Sequence, residues 1–184
     1  MNQSVLTFVG GVLPRHEVVG RRILEVGSLD VNGSSRQFMI PLGPSEYIGC
    51  DLVAGKGVDR IVNARFLVQA FGMNSFDIVI STEMIEHVPD WKACISQMKR
   101  VLKPGGSLVL TTRSPGFPFH EYPLDCWRFT QDDMRRIFSD MIVHNVESDV
   151  PQEPGVLVKV SKPKDFREAD LGPMEVYRMP EYKA

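Results

Sequence analysis

The chain has few cysteines, and their positions exclude a disulfide framework. Cys50, Cys94 and Cys126 are odd in number and form no CxxC pair. Neither a disulfide scaffold nor a zinc site is therefore predicted, and no metal ligands are assigned from the sequence. Free thiols are typical of a reducing compartment, so we expect the protein to be cytoplasmic.

The chain also lacks a basic surplus and long hydrophobic runs. A formal net charge of -2 and a pI near 6.1 argue against a broad nucleic-acid surface. No apolar run approaches the ~18 residues of a membrane span, and Met1-Asn2-Gln3 lacks the basic start of a signal peptide. We therefore expect a soluble protein that acts on small molecules, with no nucleic-acid and no membrane partner.

Two short apolar runs each stop at a small or acidic residue, which is typical of buried parallel strands leading to a ligand crevice. Residues 22–27 end in Gly27, and residues 47–51 end in Asp51. The acidic residue follows the glycine at close to the ~20 positions expected when a carboxylate on the second strand reaches the ribose of a bound adenosine. The spacing predicts a nucleotide-bearing cofactor without identifying it.

Two further blocks make the pattern specific. Residues 76–88 contain an apolar strand followed by Glu86-His87-Val88, and residues 102–110 contain Leu-Lys-Pro-Gly-Gly before another strand. In order and spacing, the four blocks resemble the class I S-adenosylmethionine-dependent methyltransferases, in particular small ones with a Glu-His-Val turn after strand four. The resemblance covers roughly residues 22–162.

This resemblance implies an α/β fold with a Rossmann-like, doubly wound sheet of about seven strands, mostly parallel with an antiparallel last strand. It also implies an enzyme that uses S-adenosylmethionine as cofactor and methylates an O or N nucleophile of a small-molecule acceptor. The expected strands are 22–27, 46–51, 59–63, 76–81, 106–112, 141–148 and 155–161, and the expected helices are 34–40, 64–71, 90–102 and one capped by Thr130.

We interpret residues 1–184 as a single methyltransferase domain with two peripheral segments. Residues 1–21 form an N-terminal arm that is expected to break near Gly10-Gly11 and Pro14. Residues 163–184 are charged and contain prolines without any period, so they are expected to be a mobile tail or to wrap a neighbour in a homodimer.

The cofactor site is expected at the carboxyl ends of strands one and four, where the strand order of such sheets reverses. Gly27 permits close approach of the cofactor, Glu25 could accept backbone amide hydrogens of the loop, and Asp51 could accept the ribose hydroxyls. The residues predicted to bind cofactor are Glu25, Gly27, Ser28, Asp51, Leu52, Asn63, Ala64, Ser81, Thr82 and Glu83.

Each of these roles has a plain structural alternative. Gly27 could be a simple strand-to-helix turn, and Asp51 could cap the segment that follows it. Asn63 could contact adenine or equally be a helix N-cap, and Glu83 could be a surface residue in a first helical turn.

The glycine loop departs from the family pattern. The family usually has an alternating GxGxG, whereas Leu29 and Val31 occupy the places of the second and third glycines. The loop must therefore take a different path, with Asn32-Gly33 as its positive-φ turn.

The loop 113–128, directly after strand five, is the strongest candidate for the acceptor site. It combines aromatic, acidic, histidine and arginine residues and is longer than usual, which suggests a substrate lid. The residues predicted to bind the acceptor are Arg113, Phe119, Tyr122, Asp125, Trp127 and Arg128. A structural interpretation is also open, in which the Tyr and Trp pack the loop on the sheet while Asp125 pairs with Arg128.

Methyl transfer needs alignment of nucleophile, methyl and sulfur, and removal of a proton where the acceptor carries one. His120 is the favoured general base, because imidazole titrates near neutrality and the residue lies beside aromatic surface. His87 competes for this role, although in its turn it could simply bond a backbone carbonyl.

Two other functions remain open at this point. An NAD-dependent oxidoreductase would use Gly27 and Asp51 equally well, although the Glu-His-Val turn and the Lys-Pro-Gly-Gly block favour a methyltransferase. The altered glycine loop also leaves room for a non-catalytic scaffold that binds S-adenosylmethionine.

Overall fold

A computed structural model describes residues 3–120, 124–180 and 182 of the chain. The strands are β1 (Arg22–Val26), β2 (Glu46–Asp51), β3 (Arg60–Ile61), β4 (Phe76–Thr82), β5 (Leu102–Arg113), β6 (Trp127–Arg128), β7 (Ile142–Ser148), β8 (Gly155–Ser161) and β9 (Tyr177–Arg178). The helices are α1 (Gln3–Val12), α2 (Arg15–Val18), α3 (Arg36–Met39), α4 (Leu67–Phe71), α5 (Trp91–Val101) and α6 (Gln131–Ile137). Short 3-10 turns cover Ile40–Leu42, Ala64–Phe66 and Ile85–His87.

Among the described residues, seven strands form one sheet in the order β3-β2-β1-β4-β5-β8-β7. The pairs from β3 to β5 are parallel, whereas β8 runs antiparallel to both β5 and β7. The predicted Rossmann-like sheet with an antiparallel last strand is therefore confirmed. The strand order reverses between β1 and β4, and their carboxyl ends form the edge where such sheets bind ligands.

Both faces of the sheet are covered, as a parallel sheet requires. One hydrophobic cluster joins Leu24 and Val26 of β1 to α5 and α6, and a second joins Ile23 to α1. Successive residues of β1 thus point to opposite faces, and both faces are buried. This explains why the strand appears in the sequence as a continuous apolar run without alternation.

The sequence of α5 explains why this segment is helical. Its buried residues recur at helical spacing, and the Asp90 side chain caps its start by accepting from the Ala93 amide at 3.3 Å. At its other end, the ammonium of Lys162 donates to the carbonyls of Lys99 and Leu102 at 2.9 and 2.8 Å. A cation at this position satisfies carbonyls that the helix and the start of β5 leave unbonded.

The N-terminal arm differs from the prediction. Helix α1 continues through Gly10-Gly11 instead of breaking there, and the chain turns only at Pro14, before α2. Glycine within a helix costs up to about 1 kcal/mol each, but α1 buries Val5, Phe8 and Val9 against the sheet. Tertiary packing therefore outweighs the local preference of the two glycines.

The described part of the C-terminal tail also differs from the prediction. It folds back onto its own chain, where β9 pairs antiparallel with β6 and Met174 is buried in the main core. The amide of Met179 donates to the carbonyl of Cys126 at 2.8 Å. The apolar residues of the tail have no regular spacing because they pack singly from irregular backbone. None of the described helices is long and apolar enough to cross a membrane.

A buried ion pair connects α5 to the segment after α6. The ammonium of Lys99 is fully buried and contacts both carboxylate oxygens of Asp140 at 2.7 and 2.9 Å. Burial lowers the pKa of Lys99, and the Asp140 carboxylate opposes that shift. The Asp140 carboxylate also accepts from the Ala169 amide at 2.9 Å and so holds the start of the tail.

We predict that Asp140→Ala lowers the free energy of unfolding by about 3–5 kcal/mol, because it leaves a buried ammonium without its partner. The double variant Lys99→Met, Asp140→Ala should recover part of the loss, since it removes the stranded charge. Urea unfolding measures both, with Asp132→Ala, in an exposed ion pair with Arg135, as the control that changes little. A double variant no more stable than Asp140→Ala would contradict this account of Lys99.

Candidate functional site

The carboxyl ends of β1 and β4 meet at Gly27 and Met84. Gly27 has φ +78°, and an added Cβ there would lie 2.6 Å from the Cγ of Met84. Only glycine therefore fits without displacing Met84. The amides of Gly27 and Ser28 both donate to the carbonyl of Cys50, at 2.9 and 3.1 Å. The loop after β1 is thus fastened to the end of β2.

Asp51 lies at the end of β2 and is half-buried. One carboxylate oxygen accepts from the Leu29 amide at 3.1 Å, and the other accepts from the Leu52 amide at 2.7 Å. Each carboxylate oxygen has two lone pairs, so each retains the capacity to accept a further hydrogen bond. Backbone amides thus hold the carboxylate in place while it remains able to accept two hydroxyl groups. The side chain of Leu52 is exposed.

The altered glycine loop is covered by the loop that follows β2. The Asp30 amide donates to the carbonyl of Lys56 at 2.8 Å, and the Lys56 ammonium lies 2.7 Å from the Asp30 carboxylate. An added Cβ at Gly57 would lie 2.5 Å from the carbonyl oxygen of Ser28. Gly33 has φ +126°, so the predicted positive-φ turn is confirmed. Contacts with residues 52–58 thus replace the compact path that the missing glycines would give.

Glu25 lies inside the protein, at 1 % exposure. Its carboxylate accepts from the hydroxyls of Ser35 and Tyr47, both at 2.9 Å, and from Ser34 at 3.3 Å. A backbone hydrogen bond from Ser35 also reaches the carboxylate, as the sequence allowed, and the hydroxyls add links from β1 to β2 and to the segment before α3. Burial raises the pKa of Glu25, and the hydroxyls of Ser35 and Tyr47 oppose the shift.

The end of β4 carries Ser81, Thr82 and Glu83. The Ser81 hydroxyl donates to the carbonyl of Val26 at 3.0 Å, while Thr82 is buried beside it. Glu83 has φ +54°, a conformation that costs a non-glycine residue about 1–3 kcal/mol. Its side chain turns back to accept from the Thr111 hydroxyl at 3.0 Å and pairs with the guanidinium of Arg113. Glu83 is thus held against β5 and does not lie on the surface.

Asn63 caps the turn that follows β3. Its side chain accepts from the Arg65 amide at 2.9 Å, which is the N-cap that the sequence left as an equal alternative to a cofactor contact. Asn63 is exposed, and Ala64 behind it is half-buried.

In the acceptor loop, Asp125 and Arg128 form a buried ion pair, with Arg128 Nη2 at 2.7 Å from Asp125 Oδ2. Arg128 is fully buried and also donates to the carbonyl of Pro118 at 2.9 Å. The Trp127 indole donates to the carbonyl of Val88 at 2.9 Å. The contacts of Asp125, Trp127 and Arg128 therefore agree with the structural interpretation, in which these residues hold the loop in place.

The remaining residues predicted to bind the acceptor differ in their exposure to solvent. Arg113 is 6 % exposed and stacks its guanidinium 4.1 Å from the Phe117 ring centroid. Phe119 is 38 % exposed, so of these side chains it is the one open to a ligand. Tyr122 lies outside the described residues.

The structure brings the two histidines together, although the sequence treated them as competitors. The rings of His87 and His120 meet edge to face, with centroids 4.9 Å apart. His87 Nδ1 lies against the carbonyl of Leu124, and His120 Nδ1 lies 3.1 Å from Asp125 Oδ2. Because acceptors face both Nδ1 atoms, these contacts fit the tautomer that donates from Nδ1 and has its lone pair on Nε2. Burial lowers the pKa of His120, opposed by Asp125 and reinforced by His87.

Glu86 is the residue that the sequence analysis missed. It is fully buried, and one oxygen accepts from the Thr112 hydroxyl at 2.9 Å. The other, Oε1, has no hydrogen-bond partner among the described residues and lies 4.0 Å from His87 Nε2. Burial raises the pKa of both Glu86 and the nearby Glu83. The sequence signal that could have identified Glu86 was the Glu-His-Val turn itself, which the sequence analysis used only as evidence for a family resemblance.

Comparisons with known proteins find similarity to methyltransferases. Residues 24–110 match the family model described as "Methyltransferase domain". The chain is 41% identical over 111 residues to Phosphoethanolamine N-methyltransferase 2 of Caenorhabditis elegans, covering 53% of this chain and 25% of that protein. It is 35% identical over 114 residues to Ubiquinone biosynthesis O-methyltransferase of Xanthomonas oryzae pv. oryzae, covering 55% and 46%. The chain thus spans a quarter to about half of these relatives.

Solved structures share the fold at lower identity. A S-adenosylmethionine dependent methyltransferase from Mesorhizobium loti superposes with a TM-score of 0.63 at 20% identity, covering 83% of this chain and 94% of that one. The 1,6-didemethyltoxoflavin-N1-methyltransferase of Burkholderia thailandensis, solved with bound 1,6-didemethyltoxoflavin and S-adenosylhomocysteine, superposes with a TM-score of 0.68 at 12% identity. It covers 89% of this chain and 80% of that one.

The buried carboxylate of Glu25 gives a pH prediction. A group whose pKa is raised on folding contributes stability that is complete below its ordinary value of 4.5 and is lost as pH rises through the raised value. Relative to Glu25→Gln, which cannot titrate, the wild type should therefore gain stability as pH falls from about 8 to about 5, by about 1.4 kcal/mol per unit of raised pKa. Urea unfolding of both proteins across this range measures the difference. A difference that stays constant with pH would show that the Glu25 pKa is not raised.

Proposed function

We propose that the chain belongs to the class I S-adenosylmethionine-dependent methyltransferases, binds S-adenosylmethionine and methylates an O or N nucleophile of a small molecule. The match of residues 24–110 to the family model described as "Methyltransferase domain" supports this proposal. The acceptor loop lies beyond the matched segment. The acceptor therefore has to be argued from the residues of this chain.

The observation that carries the cofactor proposal is the position of Asp51 beside the loop of Gly27. The carboxylate is held by the Leu29 and Leu52 amides and retains a free lone pair on each oxygen. It lies at the end of β2, next to the strand pair where the sheet order reverses. Such a carboxylate fits the two vicinal hydroxyls of a ribose. We assign the methionine part of the cofactor to the loop of Gly27 and the end of β4.

The chemistry asks little of the protein beyond alignment. Methyl transfer is an in-line displacement at a sulfonium, so the protein must position the nucleophile and take up its proton. His87 and His120 present Nε2 lone pairs near the carboxyl ends of β4 and β5. We propose that these imidazoles face the acceptor and assist removal of its proton.

A small acceptor agrees with the surroundings of these histidines. The half-buried Phe117 and the exposed Phe119 shortly precede His120 in the sequence, and the ring centroid of Phe117 lies 4.9 Å from that of His120. Aromatic walls with a few polar groups are typical of small-molecule sites. The two relatives named above are, by their names, an N-methyltransferase and an O-methyltransferase, which supports oxygen or nitrogen as the acceptor atom.

The cofactor assignment predicts that the protein binds S-adenosylhomocysteine with a dissociation constant of about 1 μM and NAD much more weakly. Asp51→Ala should weaken binding of S-adenosylhomocysteine about 10- to 150-fold, because it removes charge-assisted hydrogen bonds worth roughly 1.5–3 kcal/mol. Titration calorimetry measures both, with Asp132→Ala as a matched loss of an exposed carboxylate elsewhere. Comparable NAD affinity would favour an oxidoreductase, and an unchanged constant for folded Asp51→Ala would refute the ribose role.

The catalytic assignment predicts that His120→Ala lowers the turnover number by about 10²- to 10⁴-fold with little change in cofactor affinity. The matched control is His144→Ala, which removes an exposed histidine of β7. Turnover is followed as S-adenosylhomocysteine release over a panel of hydroxyl and amine acceptors. Near-wild-type turnover of His120→Ala would exclude the role. Cofactor binding without turnover on any acceptor would favour a non-catalytic scaffold.

A further inference from the structure

We propose that Glu86, His87 and His120 form a binding site for one divalent transition-metal ion of the zinc class. The sequence gives no metal-ligand spacing, because two of these residues are adjacent in a 3-10 turn and the third comes from the loop after β5. The fold brings the three together. Four structural observations support the site.

The first is distance. One ligand atom from each residue, a carboxylate oxygen of Glu86 and a ring nitrogen of each histidine, lies within 4.8 Å of the other two. Zinc held at about 2.0–2.2 Å in a tetrahedral site separates its ligand atoms by roughly 3.3 Å. The cluster must therefore contract by up to about 1.5 Å. His120 is half-buried on a loop, so rotation of its side chain can supply this movement.

The second is the orientation of the two rings. Each Nδ1 faces oxygen acceptors, the Leu124 carbonyl for His87, and the Pro118 carbonyl at 3.3 Å and the Asp125 carboxylate at 3.1 Å for His120. These contacts fit the tautomer of each ring that has its lone pair on Nε2. Metal-binding histidines are usually held in this way, with the second nitrogen donating to a carbonyl or a carboxylate. The Asp125 carboxylate, one of the acceptors beside His120 Nδ1, is itself held by Arg128.

The third is the unpaired oxygen of Glu86. Thr112 holds Oε2, whereas Oε1 is buried without a hydrogen-bond partner among the described residues. Leaving a buried carboxylate oxygen unsatisfied is costly, and native structures seldom keep one without a functional reason. Its proximity to His87 Nε2, at 4.0 Å, places the unused acceptor beside an unused lone pair. A cation between them would satisfy both.

The fourth is the number of carboxyl groups that share two guanidinium groups. Arg113 pairs with Glu83 and lies 3.8 Å from both Asp149 and Glu153. Arg128 is paired with Asp125. A bound dication would add positive charge where the guanidinium groups are already shared.

The donor set selects the kind of metal. Two imidazole nitrogens and one carboxylate oxygen suit zinc and its neighbours in the first transition series, whereas magnesium and calcium prefer oxygen ligands alone. Three protein ligands leave a coordination position open. If the proposed methyl transfer is correct, the metal would lower the pKa of an acceptor hydroxyl in that position, and in the metal-bound form this would replace base catalysis by the two imidazoles, whose lone pairs the metal would occupy. This last point rests on the proposed function, whereas the metal site does not.

Metal binding is measured directly on untagged, full-length protein freed of metal by a chelator. Titration with Co²⁺ should give a visible absorption spectrum that saturates at one ion per chain and is displaced by Zn²⁺. Glu86→Gln and His120→Ala should each weaken Zn²⁺ affinity by at least about 10-fold. His144→Ala, which removes an exposed histidine outside the cluster, should bind as the wild type does.

Absence of saturable Co²⁺ and Zn²⁺ binding by the wild type would overturn the site, as would wild-type affinity in folded His120→Ala. Thermal unfolding of the metal-free proteins checks that the variants fold. If Glu86→Gln does not fold, His120→Ala decides, because its side chain is half-buried on a surface loop. The readout needs neither cofactor nor turnover, so failure of the metal site is distinguishable from failure of the proposed methyl transfer.

Discussion

The parallel pairing of β1 with β4 is the constraint on which the rest of the structure depends. Leu24 lies opposite Val79, and Glu25 lies opposite Ile80, so both strands end at the same edge of the sheet. Gly27 can turn there only because it lacks a side chain where Met84 crosses. The loop of Gly27, the carboxylate of Asp51 and the turn of Glu86 are consequently brought to one edge by backbone hydrogen bonds within the sheet.

Two loops adapt this edge in ways particular to the chain. The segment 52–58 covers the altered glycine loop through backbone contacts and the ion pair of Lys56 with Asp30. On the acceptor side, the buried pair of Asp125 and Arg128 organises the loop after β5 and orients His120. Several polar side chains that the sequence predicted to contact a ligand instead bind other parts of the protein and hold the loops in place. What they leave available is a small set of lone pairs on Asp51, Glu86 and the two histidines.

The sequence predicted most of the sheet, because buried parallel strands appear as apolar runs that stop at small or polar residues. The bounds predicted for β2 and β8 are those of the structure, whereas the two-residue strands β6 and β9 carry too little pattern to be found. Individual candidate site residues were predicted from motifs, but the contacts between them were not. The contact of His87 with His120, and the burial of Glu86 and Arg128, depend on tertiary contacts that have no local periodicity. From sequence alone, charged residues in a loop suggest ligand binding, because the ion pairs that they form within the protein are not visible there.

The most direct test of the account is a crystal structure of the protein with S-adenosylhomocysteine. We predict that both ribose hydroxyls lie within hydrogen-bond distance of the Asp51 carboxylate. The sulfur should lie at the edge shared by β1 and β4, next to the loop of Gly27. A ligand bound elsewhere, or a ribose turned away from Asp51, would contradict the assignment of this edge as the cofactor site.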